Sequence, residues 1–349
     1  MAMQDYGKYK TAFFGAVAVI VIIAIWGALD VQNSPYSGYT TDGNNTITQV
    51  FAESPAEQAG FMVGDFITSS GGISAQDTKA LLRRQRASQG ETRTFVLERS
   101  GESVTLDLTY SALPGSQLFI AYMSAFIGVC FLFFGMRPYL QVQNRNTTLL
   151  AVVGLCLGHA FVNNPYITSY ALRLFYISIA NVIVLFGLAA LLHFMMAFPT
   201  EKAMLAKKNM LKILYAPAVF VVLSVLYFFI AQPAATSGVN TFFNIAFGLF
   251  IAAYLGLTAV SMVHSFVKAS PSEREAKGLS FMLFGTVVGL APIVISAIVG
   301  LISPKAVLPG NQYYFLTMVL IPISLGMATM KTEGSAAPKE KAEEVGTAA

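Results

Sequence analysis

The stretch TAFFGAVAVIVIIAIWGAL, residues 11–29, contains no charged residue. As a helix rising about 1.5 Å per residue it is about 28 Å long, close to the roughly 30 Å hydrocarbon thickness of a bilayer. It is longer than the apolar core of a secretory leader, and no small-x-small cleavage site follows it, so a retained first span is expected. The rest of the chain agrees with that reading. Of 349 residues, 55% are hydrophobic and 11% charged, with a mean hydropathy of +0.62, against about a quarter charged in soluble domains. Such a balance needs lipid as a solvent. The formal charge of +4 comes from basic residues scattered over short loops. They read as topology signals and not as a nucleic-acid surface. Cys130 and Cys156 lie in apolar runs with neither disulfide nor metal-ligand spacing.

Eight segments are long and apolar enough to be read as spans: 11–29, 117–136, 147–163, 171–197, 211–232, 240–267, 278–302 and 312–330. The third is the shortest and holds Gly154, Gly158 and His159. The connections alternate in charge. Lys8 and Lys10 precede the first span, and Arg137 and Arg145 follow the second. Lys202, Lys207, Lys208 and Lys212 follow the fourth, Lys268, Arg274 and Lys277 the sixth, and Lys331 the eighth. The intervening short loops, 163–170 and 232–239, have no Lys or Arg, and 303–311 has Lys305 alone. The positive-inside rule then places both termini in the cytoplasm and the polar stretch 30–116 outside. The domain plan is a cytoplasmic N-terminus 1–10, a first helix 11–29, an extracytoplasmic domain 30–116, a seven-helix domain 117–330 and a disordered cytoplasmic tail 331–349.

Within 30–116 the pattern is that of a small α+β domain. Residues 45–51 (NTITQVF) suit a strand, and Ser54-Pro55 suits the start of a short helix closed by Gly60. Phe66 and Ile67 begin a strand closed by Gly71-Gly72, and 76–86 is expected to be helical, with Asp77 near its start and Leu81 and Leu82 on its apolar side. Residues 93–99 and 103–110 alternate apolar and polar about Ser100-Gly101, which reads as a hairpin.

The run SPAEQAGFMVGDFI, residues 54–67, resembles the SPAxxAG…GD signature of bacterial PDZ domains, and Glu98-Arg99-Ser100-Gly101 is similar to the hairpin that closes them. The resemblance implies a groove in which a peptide adds as a strand, its terminal carboxylate held by backbone N–H groups of a loop. Tyr36-Ser37-Gly38-Tyr39 stands where that loop falls, and the docking strand begins at Thr40 and runs to Val50 through the irregular TTDGNN. The helix 76–86 supplies the other wall, with Thr78 and Leu82 on its groove face. Gly38 is expected at the rim, where a side chain blocks the carboxylate and leaves the domain folded. The alternative is that the domain is a packing or docking piece without a free ligand.

Residues 117–330 hold no aspartate, and glutamate only at positions 201, 273 and 275, all in loops. Proton-coupled transport and intramembrane proteolysis by aspartates need carboxylates in the membrane, and a zinc protease needs HExxH; neither pattern is present. No enzymatic activity and no cofactor is expected. His159, His193 and His264 fall on separate spans without nearby carboxylates and read as structural, so no metal is expected. The run LHFMMAFP, residues 192–199, is similar to a span-ending pattern in sensor modules of competence-type histidine kinases. The tail 331–349 is too short for a catalytic output domain. The expected function is a receptor or adaptor of a bacterial inner membrane that binds a peptide or protein C-terminus and couples it to a membrane or cytoplasmic protein partner. The alternative is an accessory subunit of a larger membrane complex.

Overall fold

The computed structural model describes residues 6–42, 45–167, 169–231, 238–302, 308 and 310–334. Helix α1 (Lys10–Asp30) leads into a small mixed domain, and eight further helices follow it. The domain is built from β1 (Tyr39–Thr41), β2 (Ile47–Val50), α2 (Pro55–Gln58), β3 (Phe66–Ser70), β4 (Ile73–Ser74), α3 (Thr78–Arg83), β5 (Thr92–Arg99) and β6 (Glu102–Thr109). The helices beyond it are α4 (Gly115–Gln141), α5 (Arg145–Phe161), α6 (Tyr170–Ala197), α7 (Met210–Ala231), α8 (Gly238–Lys268), α9 (Pro271–Ala276), α10 (Leu279–Ile302) and α11 (Leu320–Gly334), the last preceded by a 3-10 segment, Asn311–Val319.

Among the described residues seven helical segments are long and apolar enough to cross a membrane, which makes this a multi-pass membrane protein. The third expected span, 147–163, corresponds to α5, which has 17 residues and falls short of that length. At about 1.5 Å per residue it reaches about 26 Å. Its packing explains how so short a helix fits. Gly135 and Gly154 face each other so closely that a Cβ on either would come within 2.8 Å of the other's Cα, and a Cβ on Gly128 would come within 2.8 Å of Gly158 O. Small residues let α4 and α5 pack backbone against backbone, and α5 is covered on most sides. Outward-facing Ile22, Phe175, Phe220 and Leu257 are exposed, as side chains that face lipid must be.

The domain has its own core of Ile47, Ala56, Phe61, Ile67, Phe95, Leu97 and Leu108. Strands β4-β3-β5-β6 form an antiparallel sheet, and β1-β2 form a separate hairpin. The β5–β6 turn uses Ser100 and Gly101, both at positive φ (54° and 89°), the geometry a two-residue hairpin turn needs. Ser54 caps α2 by accepting from Glu57 N at 3.2 Å while Glu57 Oε2 accepts from Glu53 N at 2.6 Å, and Pro55 fills the first helical position. The expected helix 76–86 is shorter, ending at Arg83, although Asp77 caps it as its position suggests by accepting from Ala80 N at 2.9 Å.

The basic connections gather at one end of the bundle. Arg145 pairs with Glu201 at 3.1 Å. The amides of Asn144 and Asn146 donate to Glu333 at 2.6 and 2.9 Å, and Thr332 Oγ1 donates to Lys277 O. The mixed domain sits at the opposite end, against the connection that leaves α5 and enters α6.

Candidate functional site

The sequence run 54–67 and the closing hairpin are joined by one ion pair. Arg99 donates to both carboxylate oxygens of Asp65 at 2.7 Å and to Gly60 O at 2.7 Å, while Met62 N donates to Asp65 Oδ2 at 2.9 Å. The Asp65 side chain is 1% exposed. The Arg99 bonds hold its carboxyl below the usual carboxylate range. This is a brace that sets where β2, β3 and the hairpin meet. It does not face a ligand.

The edge of β1 that faces away from β2 is open among the described residues. Tyr39 pairs with Val50, and Phe51 N donates to Gly38 O at 2.9 Å. In an antiparallel ladder the bonded residues alternate, so Tyr39 turns its own N–H and C=O away from β2. No strand pairs with β1 on that side among the described residues. The N–H groups of Ser37, Gly38 and Tyr39 likewise have no acceptor among the described residues, whereas the Tyr36 N–H is engaged, donating to Ser111 O at 2.9 Å. Three successive N–H groups, just before and at the start of β1, thus have no acceptor among the described residues.

The predicted loop residues differ in what they do. Tyr39 sends its ring inward, stacked on Phe61 with ring centroids 5.4 Å apart and edge-on to Phe95 at 6.2 Å; burial pushes its phenol pKa up. Thr40 is exposed and its hydroxyl lies 3.0 Å from that of Thr48 across the hairpin. Ser37 O accepts from Ala56 N at 2.9 Å. Gly38 overturns the expectation of a rim position. It is buried at φ +84°, and a Cβ there would lie 2.1 Å from the Ser54 Cβ. Its glycine is required by the packing of the loop on the cap of α2, so a side chain would disrupt the domain itself. Of the irregular TTDGNN run, Gly43 and Asn44 lie outside the described residues; Asp42 accepts from Thr46 N at 2.9 Å. The strand expected from 40 to 50 is instead the hairpin β1-β2.

Thr78 opens α3. Leu82 lies further along it, half-buried and outside the domain's apolar core. Just past α3, Arg84 lies within electrostatic range of Tyr39, and it donates to Ser70 O at 2.5 Å. Burial, with Arg93 nearby, lowers the pKa of Arg84. This brings the end of α3 beside the start of β1.

Arg173 and the aromatic residues near it were not singled out from the sequence. From α6, the Arg173 guanidinium donates to the Leu82 carbonyl and to Arg84 O at 3.4 Å. Arg83 stands over the Tyr170 ring at 5.7 Å, Arg86 over the Tyr166 ring at 5.3 Å, and Tyr166 OH donates to Arg86 O at 3.2 Å. Tyr166 N in turn donates to Asp30 at the end of α1. A signal was present: Arg173 is the one charge inside the expected span 171–197, and such a charge usually has a specific partner. The histidines do not converge. His193 Nδ1 lies 3.2 Å from Tyr215 OH, and His159 packs edge-on to Tyr176. No cluster of three or more His, Cys, Asp or Glu with metal-holding geometry occurs among the described residues.

Residues 46–99 match the family model for a PDZ domain, a stretch that includes β2 through β5 and leaves out β1 and the loop before it. The chain therefore carries a PDZ domain after an N-terminal apolar helix, in a multi-pass membrane protein. A solved structure of an HtrA-type protease with a decapeptide is similar at 19% identity and a TM-score of 0.21, over 24% of this chain and 30% of that one. No curated protein matches the chain.

Proposed function

We propose that this protein is a membrane receptor or adaptor that captures a free peptide or protein C-terminus in its PDZ groove and passes the occupancy of that groove to the helical bundle. The observation that supports this most is the edge of β1, unpaired among the described residues, with the N–H groups of Ser37, Gly38 and Tyr39 beside it also lacking an acceptor among them. The carboxylate lies against those N–H groups, the peptide backbone pairs with β1, and the peptide's apolar side chains meet Leu82 on α3. Passage to the bundle runs through α3, since the carbonyls of Leu82 and Arg84 receive Arg173 of α6. A peptide that displaces α3 strains these bonds. No catalytic step is proposed. The basic end of the bundle faces the cytoplasm of a bacterial inner membrane and the PDZ domain faces outward, by the positive-inside rule.

The test is a library of peptides with free and amidated C-termini, offered to the full-length protein and to the isolated domain 30–116. Micromolar binding, about −8 kcal/mol, that weakens on amidation and on Leu82→Asp supports the reading. Arg173→Ala in the full-length protein should shift its affinity toward that of the isolated domain, which lacks Arg173 and its bonds to Leu82 and Arg84. If no free-ended peptide binds and the protein instead purifies with one stoichiometric membrane partner, the accessory-subunit reading replaces it.

A further inference from the structure

A second candidate site lies at the basic end of the bundle, far from the PDZ domain, and it has two joined parts. One is a polar cleft of about 280 Å³ whose lining includes Lys202, His264, Lys268 and Lys277. The other is an apolar cavity of about 870 Å³ between α6, α7 and α8, lined by residues such as Met196, Pro217, Phe220, Phe250 and Leu257. Its size falls within the roughly 300–1,000 Å³ of ligand sites. Lys202, Ala203 and His264 line both.

Lys202 is the residue that needs explaining. Its ammonium donates to Met195 O and Ser265 Oγ, both at 2.7 Å, two uncharged acceptors. Burial lowers its pKa to about 8. The carboxylates of the cleft are already committed: Glu201 to Arg145 at 3.1 Å, and Glu273 to Lys277 at 3.6 Å and to the cap of α9. Lys268 has no partner among the described residues. A half-buried cation with no carboxylate partner among the described residues is costly, and here it stands at the mouth of an apolar cavity. The cavity is flanked by exposed Ile213, Leu249 and Val260, on the surface the helices present to lipid. The charged mouth sits at the ends of α6 and α8, the depth of lipid headgroups.

We propose that this is a binding site for an anionic phospholipid, its phosphate against Lys202 and Lys268 and an acyl chain in the cavity between α7 and α8. Charge and shape select together: the mouth prefers an anionic headgroup, and the apolar chamber requires a chain.

The experiment uses full-length protein delipidated in detergent. Phosphatidylglycerol, phosphatidylcholine of the same chains, and inorganic phosphate are added separately, and bound lipid is read by native mass spectrometry alongside the thermal midpoint. The expected result is retention of phosphatidylglycerol at least about fivefold above phosphatidylcholine, with no midpoint shift from phosphate. Lys268→Gln, a substitution at a side chain that makes no bond among the described residues, should reduce the preference at least about threefold, and Lys202→Gln should abolish it. Ala253→Phe, placed in the cavity wall, should reduce the retention of both lipids. Equal retention of the two lipids, or a preference untouched in Lys268→Gln, overturns the headgroup assignment. Unchanged retention in Ala253→Phe, or a phosphate effect equal to that of the lipid, overturns the acyl-chain assignment.

Discussion

Replacing Gly38 by alanine tests the claim that the loop before β1 is held by packing and not left free at a rim. Two costs add. A residue with a Cβ at φ +84° is strained by about 1–2 kcal/mol. The new methyl also lies 2.1 Å from the Ser54 Cβ, and because Ser54 is buried and caps α2 it cannot swing aside; such overpacking costs about 1–3 kcal/mol. The total is about 2–5 kcal/mol. At about 0.05–0.15 kcal/mol per residue, a domain the size of 30–116 holds roughly 4–13 kcal/mol, so the loss is a large fraction of the whole. Gly64 supplies the control, since it has φ +95° with nothing within 4 Å of its Cβ position and incurs the strain alone. Urea unfolding of the isolated domain, followed by circular dichroism, should show Gly38→Ala lowering the midpoint by more than about 1 M at an unchanged slope, and Gly64→Ala shifting it by less than half as much. Equal midpoints for the two variants would refute the reasoning, because the Ser54 contact would then contribute nothing.

Further outcomes are expected from the brace, the bundle and the topology. Asp65→Asn should cost the domain about 1.5–3 kcal/mol, the range for hydrogen bonds to a charged group. Because the folded carboxyl of Asp65 titrates below its unfolded value of about 3.9, its contribution is complete above that pH and is lost as pH falls toward the folded value; acid titration of wild type and variant should therefore converge below about pH 4. Gly154→Val should destabilise the bundle by about 1–3 kcal/mol or more, read as a lower thermal midpoint in detergent, because its Cβ would meet Phe131 O at 2.6 Å. In a background lacking Cys130 and Cys156, a cysteine replacing Ser88 should react with an impermeant reagent in intact cells and one replacing Lys207 should not. The reverse pattern would invert the orientation. Metal analysis of the purified protein should find no stoichiometric transition metal that is lost on substituting His159, His193 or His264.

Hydropathy runs by themselves determined that the chain crosses a membrane several times, because a bilayer imposes a length and an apolarity that each segment must meet alone. Local chemistry was equally legible in the PDZ domain. Ser54-Pro55 starts a helix and Ser100-Gly101 turns a hairpin through interactions within a few residues, so they need no distant partner. What only the tertiary structure decided are the features made by residues far apart in the chain. Gly38 reads as a ligand-approach glycine until Ser54 is brought against it, and the 40–50 strand reads as one element until its two ends fold onto each other. The 17-residue α5 is accommodated because glycines of α4 meet it along its length. Arg173 acquires its role from Leu82, 91 positions earlier, and Lys202 from Ser265, 63 positions later. Periodicity and propensity act over one or two turns, whereas these contacts are settled by which helices and loops pack together.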